Sequence, residues 1–207
     1  IYLNFDRPLS ETELLKLRPL LSRRAKREPL QHILGETPWR NLNLKTDSRA
    51  LIPRPETEEI IDLAKSYFKT TENKEIKILD IGTGSGAIAL AMAQEFPHSS
   101  VTALDISEKA IELAQENAKL NQIKNIQFVI SDLFDKVDQK FDIIISNPPY
   151  IRSSVMLELE EEVKGFDPSN ALDGGTDGLN FYRRICLEAS EYLERNAYLI
   201  FEIGFDQ

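Results

Sequence analysis

Two groups of residues in this sequence have the types and spacing to do chemistry. The first is Asn147-Pro148-Pro149-Tyr150. Two consecutive prolines fix their own φ angles and hold Asn147 and Pro148 out of the helical region, which yields a stiff, extended stub. The Asn147 side-chain oxygen and the Pro148 carbonyl then form two convergent acceptors, matched to the two donors of a planar NH₂ group. Tyr150 can lie against the flat face of whatever bears that NH₂. The second group is Asp80-Ile81-Gly82-Thr83-Gly84-Ser85-Gly86, with Asp105 about one strand-helix-strand unit later. Glycines there let the backbone turn tightly and a ligand approach, and a carboxylate at the end of the second strand can accept from both hydroxyls of a ribose. Together they predict a nucleoside-containing cofactor. Because Ala87 follows Gly86, the glycines alone fit a nicotinamide site as well as an adenosylmethionine site. The NH₂-directed tetrapeptide decides for the second.

These groups need a scaffold, and the apolar pattern predicts one. Buried strands are expected at Ile76 to Ile81, Val101 to Leu104, Ile126 to Ile130, Phe141 to Ser146 and Ala197 to Ile203. Helices are expected between them: Glu58 to Phe68 before a polar linker, Ala87 to Phe96, a third capped by Ser107, and Leu179 to Leu193 capped by Asp177. Alternation of this kind specifies an α/β fold with a mainly parallel sheet, in which loops at the strand C-terminal ends share one crevice. Upstream, Ser10 and Glu13 form a capping box for a helix that Pro19 should split in two and Pro29 should stop. Residues 1–28 thus read as a partial helical domain, 29–55 as a hairpin-like linker, and 56–207 as the catalytic domain.

Composition narrows the function class. The chain has 207 residues and a net charge of −9, with one cysteine and two histidines. A single Cys186 excludes an intrachain disulfide and a cysteine-based zinc cluster and fits a reducing cytosol. It reads as a small core residue. No apolar run approaches the ~18 residues of a membrane helix. Residues 1–50 hold ten Lys and Arg against six Asp and Glu, leaving −13 on the remainder, which argues against a broad grip on nucleic acid. The basic stretch Arg23 to Arg27 and the acidic cluster Glu158 to Glu162 read as solvated helix faces. Trp39 reads as a packing anchor for the linker.

The motifs carry a family resemblance. Asn147 to Tyr150 with the glycine loop resembles the amino-directed methyltransferases. Leu51-Ile52-Pro53-Arg54-Pro55-Glu56-Thr57-Glu58, Pro29 to Gly35 and Ala171 to Leu179 together resemble, more narrowly, the protein-(glutamine-N5) methyltransferases of peptide chain release factors. The resemblance implies a Rossmann-like class I methyltransferase sheet, S-adenosyl-L-methionine as cofactor with S-adenosyl-L-homocysteine as product, and a release factor as protein substrate. It implies that Gly82, Thr83, Gly84, Ser85 and Gly86 contact the methionine part of the cofactor, that Asp105 binds its ribose, and that Asp132-Leu133 lies beside the adenine. Asn147, Pro148, Pro149 and Tyr150 would bind the glutamine amide, with Asn147, Pro148 and Tyr150 catalytic. Arg54 and Glu56 would shape the opposite wall, either as such or as an ion pair at the domain joint. Family members usually carry a longer N-terminal helical domain and two further C-terminal strands, so the chain reads as a truncated version.

An amide nitrogen is a poor nucleophile because its lone pair is delocalised. Acceptors on its hydrogens favour the positive charge that develops as it attacks, so no strong base is required. A DNA adenine-N6 methyltransferase shares this logic but needs base flipping and a basic surface. A cofactor-binding fragment without turnover is the other alternative, and a nicotinamide dehydrogenase lacks a proton-shuttling constellation. The expected protein is a cytoplasmic monomer with no membrane contact, no metal and no stable nucleic-acid partner.

Overall fold

The computed structural model describes residues 6–68 and 75–207. The polar linker expected between Phe68 and Ile76 lies mostly outside them. In chain order the elements are α1 (Glu11–Ala25), α2 (Leu30–Leu34), β1 (Glu36–Trp39), β2 (Leu42–Lys45), α3 (Glu58–Tyr67), β3 (Lys77–Ile81), α4 (Ala87–Glu95), β4 (Ser100–Asp105), α5 (Glu108–Leu120), β5 (Ile126–Ile130), β6 (Phe141–Ser146), α6 (Glu161–Lys164), α7 (Asn180–Tyr192) and β7 (Leu193–Phe201). Among the described residues no helix is long and apolar enough to cross a membrane.

Five strands pair in the order β5-β4-β3-β6-β7, every neighbour parallel. Parallel strands covered on both faces must be apolar on both, and the central ones are. Ile78, Ile143 and Ile145 pack on one face with α3, α4 and the Trp39 end of the hairpin. Leu79, Ile81 and Ile144 pack on the other with Ile185 and Ala189 of α7. The chain runs outward from β3 to β5, then returns to place β6 on the other flank of β3. Such a reversal of strand order opens a crevice at the strand C-terminal ends.

The β1–β2 hairpin is fastened to α5 by an amide ladder. Asn117 Oδ1 accepts from Lys45 N at 2.7 Å while its Nδ2 donates to Lys45 O at 3.3 Å. One helical turn later, Asn121 makes the same pair of bonds with Asn43, at 3.0 and 2.8 Å. Four residues of helix advance about 6 Å and two residues of strand slightly more, so the spacings match. Asn117 is fully buried and also donates to Ser85 O at 2.9 Å, tying the hairpin to the glycine loop.

Several expectations need correction. Pro19 does not split the first helix, which runs through it for 15 residues. α1 buries no residue, so water can satisfy the carbonyl that the proline leaves without a donor. Asp177 does not cap α7 directly. Leu179 occupies the cap, and Asp177 Oδ1 accepts from its N–H at 3.1 Å. Cys186 is exposed, because the buried stripe of α7 is Tyr182, Ile185 and Ala189. The basic end of α1 and the acidic segment are partners of each other: Arg24 pairs with Glu162, and Arg27 with Glu160 at 3.6 Å. Ser107 and the Ser10–Glu13 capping box are as expected.

Two buried features hold the site loops and can be tested by stability. Asp80, fully buried at the end of β3, accepts through Oδ2 from Thr83 Oγ1 at 2.6 Å and Ala89 N at 3.1 Å. Its Oδ1 is buried with no partner, and burial pushes its pKa up to about 7. The folded state therefore keeps a proton that the unfolded chain releases near pH 4, so stability falls as pH rises from about 4 to about 7. Urea midpoints across that range are expected to show this decline in the wild type relative to Asp80→Asn; parallel profiles would contradict it. Gly174 packs behind the Asn147–Tyr150 segment, where a Cβ would stand 2.6 Å from Pro149 O and 2.8 Å from Tyr150 Cα. Gly174→Ala is expected to destabilise by about 1–3 kcal/mol in the same assay.

Candidate active site

β3 and β6 are paired so that Ile81 lies opposite Ser146, and the Ser146 hydroxyl donates to Ile81 O at 2.7 Å. Gly82 and Asn147 are therefore the first residues off two adjacent strand ends. Both line a cavity of about 370 Å³, within the range of small-ligand sites. Thr83, Gly84, Ser85, Asp105, Asp132, Leu133, Pro148 and Pro149 line it too.

The glycine turn is made by backbone geometry. Gly82 and Gly84 have φ of +72° and +56°, which side chains strongly disfavour. A Cβ on Gly82 would meet nothing within 4 Å, and one on Gly84 only the Ala50 methyl at 3.8 Å, so both positions border open space. Gly86 does not line the cavity. Its missing Cβ admits α5 instead, since Ala114 Cβ would lie 3.0 Å away. Asp105 braces the turn from β4: Oδ2 accepts from Gly84 N and Oδ1 from Ser107 N, both at 2.9 Å. Burial raises its pKa. With backbone donors from Gly84, Ser107 and Ile106 on it, the carboxylate still has acceptor capacity for an incoming hydroxyl.

After β5, Ser131 N donates to Asp105 O, and Ser131 Oγ donates to Leu133 O at 3.0 Å. These bonds hold Leu133 at a φ of +45°, with its side chain in the core beside Phe134. Asp132 pairs with Arg184 of α7 at 3.0 Å.

The tetrapeptide forms a partition. Asn147, Pro148 and Pro149 face the cavity just described, while Tyr150 lines a wider neighbouring groove of about 940 Å³ together with Glu56, Ile60 and Glu202. The Tyr150 hydroxyl donates to Glu202 Oε1 at 3.4 Å, and burial followed by that carboxylate raises its pKa. Behind the partition, Ile151 N donates to Leu172 O and Gly174 N to Ile151 O. Gly178 needs its missing Cβ because Tyr150 O would lie within 2.3 Å of it.

Arg54 and Glu56 do not pair with each other. Arg54 Nη2 reaches Asp167 at 3.3 Å, and the Asp167 side chain is 1% exposed. Trp39 is a buried anchor as expected, its Nε1 donating to Arg54 O at 3.0 Å. Sequence reasoning missed Phe181 and Arg184 of α7 among the lining residues. Neither has a local signal, since α7 is distant in sequence from the glycine loop.

Comparison with known proteins gives the same picture. Residues 59–162 match the Methyltransferase small domain family, and residues 1–35 match the PrmC N-terminal domain. A methyltransferase from Pyrococcus furiosus shares the fold, with a TM-score of 0.57 at 20% identity over 93% of this chain and 79% of that one. The release factor glutamine methyltransferase of Fusobacterium nucleatum is 47% identical over 99% of this chain and 58% of its own length. That of Geobacter sulfurreducens is 44% identical over 100% of this chain and 72% of its own. The two loops off β3 and β6 therefore sit in a chain that belongs to the release factor glutamine methyltransferase family.

Proposed function

We propose that this protein transfers a methyl group from S-adenosyl-L-methionine to the N5 amide nitrogen of a glutamine in a peptide chain release factor. The observation that carries the reading is the Ile81–Ser146 register, which delivers a glycine turn and an Asn-Pro-Pro stub to one cavity. The residues fit the cofactor: the two open glycine positions would take its methionine part, Asp105 would accept from the ribose hydroxyls, and Asp132 and Leu133 would hold the base. When bound, that cofactor supplies an electrophilic methyl and leaves as S-adenosyl-L-homocysteine.

The chain's own residues then act on the amide. Asn147 Oδ1 and the Pro148 carbonyl accept its two N–H bonds, hold the nitrogen in place, and favour the positive charge that grows there. The proton leaves to water. Gly86 serves helix packing in this reading, and Tyr150 bounds the side from which the polypeptide arrives. The activity belongs to a cytoplasmic monomer that makes no lasting contact with nucleic acid. The single cysteine and the acidic balance beyond residue 50 support that setting.

The experiment offers the whole protein labelled cofactor with either recombinant release factor or duplex DNA, and mass spectrometry then locates the methyl group. A glutamine N5-methyl on the release factor is expected; transfer to adenine, or none to the release factor, overturns the reading. In the same assay Asn147→Ala is expected to lower kcat by about 10²–10³-fold, the cost of losing one preorganised partner. Cofactor affinity measured by calorimetry should fall only modestly.

A further inference from the structure

An acceptor role for Asn147 requires more than its location. A side-chain amide has an oxygen on one side and an NH₂ on the other, and a half-turn about its terminal bond exchanges them. With NH₂ toward the substrate, the group would offer donors to donors. The substrate's own donors select the orientation with Oδ1 outward, and the NH₂ then turned inward needs an acceptor or its donors go unpaired.

We propose that Thr57 is a positioning residue for the reaction, its hydroxyl oxygen accepting from the Asn147 NH₂ and so supporting the orientation in which Oδ1 faces the cavity. The inference rests on the release factor reading and adds a residue to its machinery. Asn147 Nδ2 lies 3.3 Å from Thr57 Oγ1. Among the described residues Asn147 Oδ1 has no partner, which leaves it for the substrate. Thr57 also lines the cavity and is 5% exposed, so little water competes for the contact.

The threonine is itself held from several directions. It ends a 3₁₀ turn, Pro55–Thr57, that leads into α3. Its N–H donates to Arg54 O at 3.2 Å, the same carbonyl that accepts from the Trp39 indole at 3.0 Å. Arg54 is anchored in turn by the buried Asp167. Trp39, Arg54 and Thr57 thus form a chain of contacts from the hairpin to the amide. This gives a task to the Pro53–Glu58 segment that Arg54 and Glu56 alone do not supply.

The test is steady-state kinetics of the whole protein on release factor, comparing wild type, Thr57→Val and Thr57→Ser. Valine keeps the shape and removes the acceptor, whereas serine keeps the hydroxyl. The expected result is a fall in kcat of about tenfold or more for valine, the worth of one hydrogen bond. KM for the cofactor and the affinity for S-adenosyl-L-homocysteine should stay within about twofold of wild type, and serine should restore most of kcat. Valine at wild-type kcat overturns the proposal, as does an equal loss in both variants with cofactor affinity falling in step, which is the mark of a merely structural role. If valine prevents folding, Thr57→Ala takes its place under the same criteria. A wild type inactive on release factor refutes the functional reading itself, whereas an active wild type with an indifferent valine variant refutes only the role of Thr57.

Discussion

The parallel pairing of β3 with β6 is the constraint on which the site depends. Both strands are buried on both faces, so their register is set by two sets of side chains at once. A slip of one residue would exchange the sets and move Ser146 away from Ile81. With the register fixed, the two loops leave the sheet as neighbours. The chemistry then requires only that each keep its shape. On the glycine side shape comes from Asp80 Oδ2 and from both oxygens of Asp105, which accept from Thr83 and Gly84 of the turn and from Ala89 and Ser107 beside it. On the other side it comes from consecutive prolines in front and close-packed glycines behind.

These supports differ in kind. Asp80 costs stability above mildly acidic pH, because an ionised oxygen in the core lacks a partner. Asp105 is also buried, yet each of its oxygens accepts from a backbone amide and the residue borders the cavity. One carboxylate shapes the loop from within the core, and the other shapes it from the ligand side. The glycines Gly174 and Gly178 act by what they omit. The stub is stiff because the backbone of another loop is pressed against it at distances no side chain would allow.

Most of the fold was legible in the sequence because its signals are local or periodic. The apolar triplet Ile143–Ile145 and the pair Ile78–Leu79 mark doubly covered strands, and Ser107 and Ser10 mark helix starts. The placement of Asn147 and Gly82 followed from those strands ending where they do. The supporting partners were illegible for an equally physical reason. Thr57 and Asn147 are 90 residues apart, and Arg54 and Asp167 are 113 apart, so only tertiary approach selects them. Cys186 sits one position beyond Ile185 on the buried stripe of α7, a difference that helical periodicity read from short runs does not resolve. Pro19 carries a local signal to break a helix, yet α1 buries no residue and water can take up the carbonyl it frees.

The pairing of Asn117 and Asn121 with β2 has a consequence outside catalysis. A two-stranded ribbon ordinarily leaves donors and acceptors along its outer rim, and such a rim can recruit a foreign strand. Here Lys45 and Asn43 have those groups occupied by two amides on a helix, which imitate the backbone of a third strand without being one. A helix that counterfeits a strand closes the β2 edge to strand addition while leaving the ribbon short, and the protection lasts only as long as both asparagines stay one turn apart.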